Sequence, residues 1–330
     1  MSPIIDPEDD DQADLAGATE HEVRTAVVRE SWHHWRLDKV LVALAPEFSR
    51  SHLQGLIEQG LVRLGGTCDR LPSRRVQVGQ VLHVELRPTA QSLAFRPEAL
   101  ELQVVFEDED LMVVDKPVGL VVHPAPGHWS GTLLNGVLAH HPPAVQLPRA
   151  GIVHRLDKDT SGLMVVGKTL QAVTALSRAI AARQVQRVYM ALVHGVMALG
   201  DTTVQAPIGR DPGSRLRMAV HAAGRPARTD VRVIASGQGI SAVRCRLHTG
   251  RTHQIRVHMA YLGHPLVGDR LYGGASGLGL ERQALHAHRL GFDHPVTGER
   301  LDFSQPAPED LAQAWRSFVP SELAEAGGVF

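Results

Sequence analysis

Gly151-Ile-Val-His-Arg-Leu-Asp-Lys-Asp-Thr-Ser-Gly-Leu-Met-Val-Val166 joins the densest polar segment of the chain to an uninterrupted apolar run, Leu163–Val166. The run is short enough for a strand buried on both faces. A loop that feeds straight into a buried strand is held at one end, which makes it a good place for a reactive carboxylate. Asp157 and Asp159 both stand in that loop. They can form an acid/base pair flanking a sugar, or they can shape the loop, which is the commoner use of Asp at a turn. Spacing alone favours loop-shaping for either residue.

Working outward, further strand-like runs occur at Leu102–Glu107, Leu111–Val114, Val188–Val193, Val231–Ile234 and Val243–Leu247. Residues 170–182 place Leu170, Val173, Leu176 and Ile180 on one helical face. This strand-rich mixture predicts an α+β fold, not a regular βαβ repeat. No internal repeat is visible. Tyr189 sits in one of the strands, where a lone Tyr usually serves packing. In Leu247–Met259, Ile255, Met259 and Leu262 share a helical spacing that predicts a helix starting near Thr252, with Thr252 as its cap and Gly263 ending it. Arg251, His253 and Arg256 cluster at its start and suggest an anion site. The chain has 19 histidines, yet His253 and His258 are five apart, and neither HExxH nor Cys/His ligand spacing occurs. Glycine-rich nucleotide loops are absent too. Neither a metal nor a nucleotide cofactor is expected.

A length of 330 residues suggests two domains. Residues 34–95 read as a small α+β unit with its linker, and residues 96–330 as the larger domain. In the small unit Leu37, Val40, Leu41 and Leu44 predict a helix that Pro46 ends. Ser49 or Ser51 can cap a second helix carrying Leu53, Leu56 and Ile57, which Gly60 stops. Strands follow at Leu61–Leu64 and Val81–Leu86, and Thr89–Glu98 reads as linker. Net charge is −1, but residues 1–30 hold nine acids and two bases, leaving 32 basic and 26 acidic residues, +6, for the rest. Residues 1–33 therefore read as an acidic disordered tail, and a mildly basic body is compatible with RNA. Cys68 and Cys245 make no disulfide framework. Residues 1–15 lack the regions of a signal peptide, and no run of 18 apolar residues occurs. The expectation is a cytoplasmic protein without a membrane segment.

Two resemblances sharpen this. RLDKVLV (36–42) and SRSHLQGLIEQGLVRLGG (49–66) resemble the S4 RNA-binding module, which implies an RNA-facing side with Arg36, Lys39, Ser49, Arg50 and Ser51. DLMVVDKPVGLVVHPAPG (110–127), PRAGIVHRLDKDTSGLMVVGKT (148–169), RVYMALVHG (187–195), GRPARTDVRV (224–233) and HTGRTHQIRVHMAYLGHPLVGDRLYGG (248–274) resemble, in this order, the A/D type of pseudouridine synthase that modifies large-subunit ribosomal RNA. Arg187 and Arg225 stand where that family often has Lys. The resemblance implies a catalytic domain on a mixed, largely antiparallel sheet. It also implies isomerisation of uridine in RNA without metal or organic cofactor. Asp157 is then the essential carboxylate, Tyr189 lies against the target base and Arg256 pairs with the Asp. Arg155 could fill the stack that a flipped base vacates, while Arg251 and His253 contact RNA. The implied partner is large-subunit ribosomal RNA in the helix-69 stem-loop. The sequence leaves the oligomeric state open, and a monomer is the working expectation. The competing readings are an RNA glycosidase using Asp157 and Asp159, and a non-catalytic assembly factor working through the S4-like unit.

Overall fold

The computed structural model describes residues 22–87, 94–125, 127–214 and 216–319. The chain divides into two compact units, residues 1–93 and 94–330. Among the described residues no helix is long and apolar enough to cross a membrane.

The first unit runs β1 (Glu22–Val27), α1 (Leu37–Leu44), α2 (Arg50–Glu58), β2 (Val62–Leu64), β3 (Thr67–Cys68) and β4 (Val81–Leu86). Its antiparallel sheet has the order β1-β4-β2-β3. The apolar stripe of α1 (Leu37, Val40 and Leu41) meets that of α2 (Leu53, Leu56 and Ile57) over Val62, Leu82 and Val84 of the sheet, all buried. Ser49 caps α2 by accepting the His52 N–H at 3.3 Å, satisfying a donor the helix cannot.

Residues 22–33 correct the expectation of a disordered tail through position 33. Strand β1 pairs along its whole length with β4, and Trp32 is buried in the same core. The strand is hard to read because its outward side chains are Glu22, Val23, Thr25 and Val27, and it covers the core with Arg24 and Ala26, both partly buried. The first 21 residues of the expected tail lie outside the described residues.

The second unit runs β5 (Gln103–Glu107), β6 (Leu111–Lys116), α3 (Leu133–His140), β7 (Ser161–Gly167), α4 (Leu170–Ala181), β8 (Gln186–His194), β9 (Gly200–Gln205), β10 (Ile208–Arg210), β11 (Met218–Val220), β12 (Arg228–Gly237), β13 (Ile240–Leu247), α5 (Gln254–Tyr261), β14 (Leu285–Asp293), β15 (Arg300–Ser304) and α6 (Glu309–Phe318). The large sheet has the order β5-β6-β7-β14-β8-β13-β12-β9, with β15 added to β14. Every pairing in it is antiparallel except β7 with β14. The fold is thus α+β on a mixed, largely antiparallel sheet.

Period-two alternation explains the apolar runs. Met112, Val114, Met164 and Val166 enter one core with α3, while Leu111, Val113, Leu163 and Val165 enter another beneath α4. Burying each such side chain contributes about 1.5–3 kcal/mol, which is why Leu163–Val166 stays fixed where the Asp157 loop joins it. The second half of the expected linker belongs to this unit. Asn135 donates to the Ala94 and Arg96 carbonyls, and the Gly131 N–H donates to Glu98. Residues 88–93 lie outside the described residues.

Candidate active site

The loop between residues 152 and 160 is irregular, yet almost every turn of it is tied down. The Thr160 N–H returns to the Asp157 carbonyl at 3.1 Å, and the Gly119 N–H donates to the Lys158 carbonyl at 2.9 Å. Lys116, fully buried at the end of β6, donates to the Pro117, Leu120 and Lys158 carbonyls at 2.8, 2.9 and 3.0 Å. Its three N–H groups thus meet three acceptors. Burial draws its amine down to about 8, against the pull of Asp159 and Asp157. Arg282 donates to the Asp159 carbonyl at 3.1 Å, and Gln283 to the Thr160 hydroxyl at 3.3 Å. At the strand, Gly162 has φ +114°, and a Cβ there would collide with the Ala287 backbone of β14, so only glycine lets β7 and β14 approach.

This scaffold presents Asp157, 16% exposed, to Arg256 of α5. Arg256 Nη1 donates to Asp157 Oδ2 at 3.1 Å, while Nε and Nη2 grip both oxygens of Asp269 at 2.7 and 2.9 Å. Burial works against the charge of Arg256, but the hydrogen bonds and charges of Asp269 and Asp157 outweigh it and raise the guanidinium well above its ordinary value. The bidentate clamp fixes the plane of the guanidinium and so the direction of its remaining donor. His253 lies on the other side, its Nε2 4.0 Å from Asp157 Oδ1 and its Nδ1 2.7 Å from the Tyr272 hydroxyl. Burial lowers the imidazole of His253 against the pull of Asp157.

The start of α5 departs from expectation. Thr252 is not the cap; His253 holds that position in the left-handed conformation, φ 55°, without a side-chain cap. Gln254, the first residue of the helix, ties down the preceding turn, accepting from the Thr249 hydroxyl at 2.7 Å and the Arg251 N–H at 3.0 Å while donating to Arg228 and Thr229. The three polar groups expected at an anion site share one cleft, but each is also tied to a partner within the protein. Arg256 turns to two carboxylates, Arg251 donates to the Pro226 carbonyl at 3.2 Å, and His253 faces Tyr272 and Asp157.

Asp157 opens into a cleft of about 380 Å³ whose walls include Arg155, Tyr189, Arg251, His253 and Arg256. Tyr189 reaches it from β8 and is 5% exposed. Asp159 does not line this cleft; it lines an adjoining depression of about 1050 Å³ that Asp157 also borders. Arg149, Arg155, Arg183 and Arg187 line the cleft with no ion pair among the described residues. In the first unit, Arg36 and Arg50 turn to Asp38, Lys39 lies 3.8 Å over the Trp35 ring, and Ser49 and Ser51 bond each other at 3.1 Å. Lys116, Asp269, Gln254 and Tyr272 were not singled out from the sequence. An acid such as Asp269, set between glycines and apolar residues in Val267–Gly274, is the one readable signal among them. Asp108, Asp110 and His294 bring possible metal-ligand atoms within 4.8 Å of one another outside the cleft. Asp108 there already accepts two N–H groups and is bonded to His294.

Comparison with known proteins identifies a family. A family model described as RNA pseudouridylate synthase matches residues 110–261, and the S4 domain matches residues 35–82. Proteins named ribosomal large subunit pseudouridine synthase D are similar over most of their length. That of Neisseria meningitidis serogroup A is 46% identical, covering 91% of this chain and 83% of its own; that of Xanthomonas campestris is 48% identical, covering 88% and 90%. Among solved structures, human RNA pseudouridylate synthase domain containing 1 superposes with TM-score 0.53 at 28% identity, covering 67% of this chain and 89% of that one. Its counterpart, domain containing 4, at 22% identity and TM-score 0.50, shares the fold. The chain belongs to the RNA pseudouridylate synthase family, with an S4 domain preceding its synthase region.

Proposed function

We propose that this enzyme isomerises uridines of large-subunit ribosomal RNA, in the helix-69 stem-loop, to pseudouridine, with Asp157 as the essential carboxylate. The observation that supports this most is the buried Asp269–Arg256–Asp157 chain, which holds one carboxylate in a cleft shared with Tyr189. The ribosomal RNA substrate is argued from the relatives named above.

The target base must leave its helix, at a cost of a few kcal/mol. Arg155, exposed and without an ion pair among the described residues, fills the gap in the stack. Asp157 then attacks C1′, or removes the C2′ proton, as the N1–C1′ bond breaks. The freed uracil turns beside Tyr189, and C5 bonds to C1′. Burial, opposed by Arg187 and aided by Asp157, pushes the Tyr189 phenol up to about 12. It therefore keeps its proton at neutral pH and serves as a relay for the C5 proton, directly or through water. A hydrolase using two carboxylates across one sugar has less support, because Asp159 is absent from the cleft that holds Tyr189.

Pseudouridine mapping of ribosomal RNA from cells with and without the protein tests the reading. Loss of modification confined to helix 69 is expected. An unchanged map, or loss only in other RNAs, would overturn the substrate assignment.

A further inference from the structure

One charge in the cleft has no part in the mechanism above. Arg187 is 5% exposed and precedes Tyr189 by two residues on β8, so the two side chains leave the same face of the strand. Its Nε–H is buried without an acceptor, and no ion pair engages the guanidinium among the described residues. Burial lowers it from the ordinary guanidinium range, with Tyr189 working the other way. Its space is kept open by the chain: a Cβ at Gly250 would meet Nη1 at 3.0 Å, so any larger residue in that turn presses on the guanidinium.

A second donor lies in the same wall. His154 accepts the Val165 N–H at Nε2, 3.0 Å away, which puts its own proton on Nδ1. That Nδ1 is buried without an acceptor, and His154 is close enough to Arg187 to feel its charge. Two buried donors that the protein leaves unmatched, one of them permanently charged, are costly to maintain. The cost is offset if the ligand supplies the acceptor.

We propose that Arg187 is a further catalytic residue of this cleft, donating to a carbonyl oxygen of the bound uracil and stabilising the negative charge on the base while it is detached from the sugar. The proposal rests on the pseudouridine synthase reading. When the N1–C1′ bond breaks, both electrons stay with the base, and uracil becomes a monoanion with charge spread over N1 and the two carbonyl oxygens. C1′ is meanwhile bonded to a carboxylate oxygen of Asp157, or the C2′ proton has passed to Asp157 and a C1′=C2′ double bond remains. On rejoining, C5 supplies the electron pair to C1′ as the bond to Asp157 breaks, or as Asp157 returns its proton to C2′; the C5 proton then leaves, N1 gains a proton and the charge disappears. The anion therefore exists only between the two bond changes. A cation without a resident counter-charge acts where that charge develops.

The other arginines fit this role less well. Arg256 is saturated by Asp157 and Asp269, Arg251 turns its Nε–H to the Pro226 carbonyl, and Arg149, Arg155 and Arg183 are exposed and suit phosphates in solvent.

The test uses a stem-loop RNA carrying either uridine or 5-fluorouridine at the target position. Wild-type protein, Arg187→Gln and Arg187→Lys are compared in single-turnover consumption of the base. Fluorine makes the base a better leaving anion, so a missing anion stabiliser should matter less. Arg187→Gln should lose about 10²-fold on uridine and roughly tenfold or less on 5-fluorouridine, with RNA affinity nearly unchanged. Arg187→Lys, which retains a charge, should stay within about tenfold of wild type on both. Both rates come from one protein preparation, so partial unfolding lowers them alike and leaves their ratio intact. If Arg187→Gln loses equally on both bases, or Arg187→Lys fails as badly as Arg187→Gln, the proposal falls and Arg187 is a packing group. If the wild type makes no pseudouridine in the uridine RNA, the functional reading falls first.

Discussion

Asp38 in the S4 unit and Asp157 in the synthase unit are both held by arginine, but the pairs are buried in opposite senses. Asp38 is completely buried, and Arg36, Arg50 and Gln54 reach down to it at 3.0, 2.9 and 2.7 Å, the two guanidinium groups remaining 41% and 58% exposed. Hydrogen bonding from Arg36 first, and from Arg50 and Gln54 after it, holds Asp38 well below the usual carboxylate range despite its burial. At the cleft the arginine is the buried anchor: Arg256 is 8% exposed, its structural partner Asp269 1%, and Asp157 twice that of Arg256. The first arrangement uses a carboxylate to organise cations at a surface. The second uses a cation to organise a carboxylate at a cleft. The partner that remains accessible is the one offered to a ligand, so these two clusters point to a phosphate-facing surface and to a reacting acid.

The largest expected effect separates these roles. Asp157→Asn keeps the shape and the ability to accept from Arg256, but removes the charge that must form the C1′ adduct or take the C2′ proton. Single-turnover pseudouridine formation should fall by at least about 10³-fold, with melting temperature and stem-loop affinity close to wild type. Asp159→Asn, whose side chain lies outside the Tyr189 cleft, should retain activity within a few-fold. The assignment breaks if the two variants exchange phenotypes.

Next comes the loop that carries Asp157. Lys116→Met fills a similar volume but withdraws the donor from three carbonyls. Lys158 keeps the Gly119 N–H, so Pro117 and Leu120 lose their partner. Leaving a buried carbonyl unmatched costs about 1–3 kcal/mol, and less where, as at Pro117 and Leu120, the residue is exposed or half-buried and water can reach it. A stability loss of about 1–2 kcal/mol is expected by denaturant titration, together with a lower turnover because Asp157 is less firmly held. An unchanged denaturation midpoint would show that the loop is held by its other contacts alone.

Legibility in the sequence followed the same physical line. Runs of uniform chemistry were readable: the stripe of α1, the two-faced apolar strands β6 and β7, and α4, which begins at Leu170 as expected. Segments whose burial depends on pairing were not. Strand β14, Leu285–Asp293, is not among the strand-like runs expected from the sequence; it carries His286, His288 and Arg289, yet His286 is fully buried because Ser161 and the Gln305 carbonyl satisfy its ring at 2.9 and 3.0 Å. At the site, Asp157, Tyr189 and Arg256 came from motif resemblance, since spacing could not choose between Asp157 and Asp159. Asp269 is marked locally as an acid among glycines and apolar residues, but its clamp on Arg256, and the bonds of Gln254 to Arg228 and Thr229, are long-range contacts that no local pattern announces.

The smallest expected effect tests the S4 side of the comparison. Arg183 lines the cleft, exposed and without an ion pair among the described residues, whereas Arg50 is exposed but committed to Asp38. A free cation on a phosphate releases close to one counterion, so its removal lowers the slope of log affinity against log salt by about 1. A guanidinium already compensated by a carboxylate carries less net field to the phosphate, and its removal leaves Asp38 with Arg36 and Gln54 still bound. Stem-loop dissociation constants measured over a potassium chloride series should therefore give a slope reduced by about 1 for Arg183→Gln and by roughly half of that or less for Arg50→Gln. The stability change for Arg50→Gln should stay under about 1 kcal/mol, because Arg50 is exposed and Arg36 and Gln54 still satisfy the buried carboxylate. Equal slope changes would mean that pairing with Asp38 does not diminish what Arg50 offers to RNA. In that case the buried carboxylate serves only to hold the side chain in place.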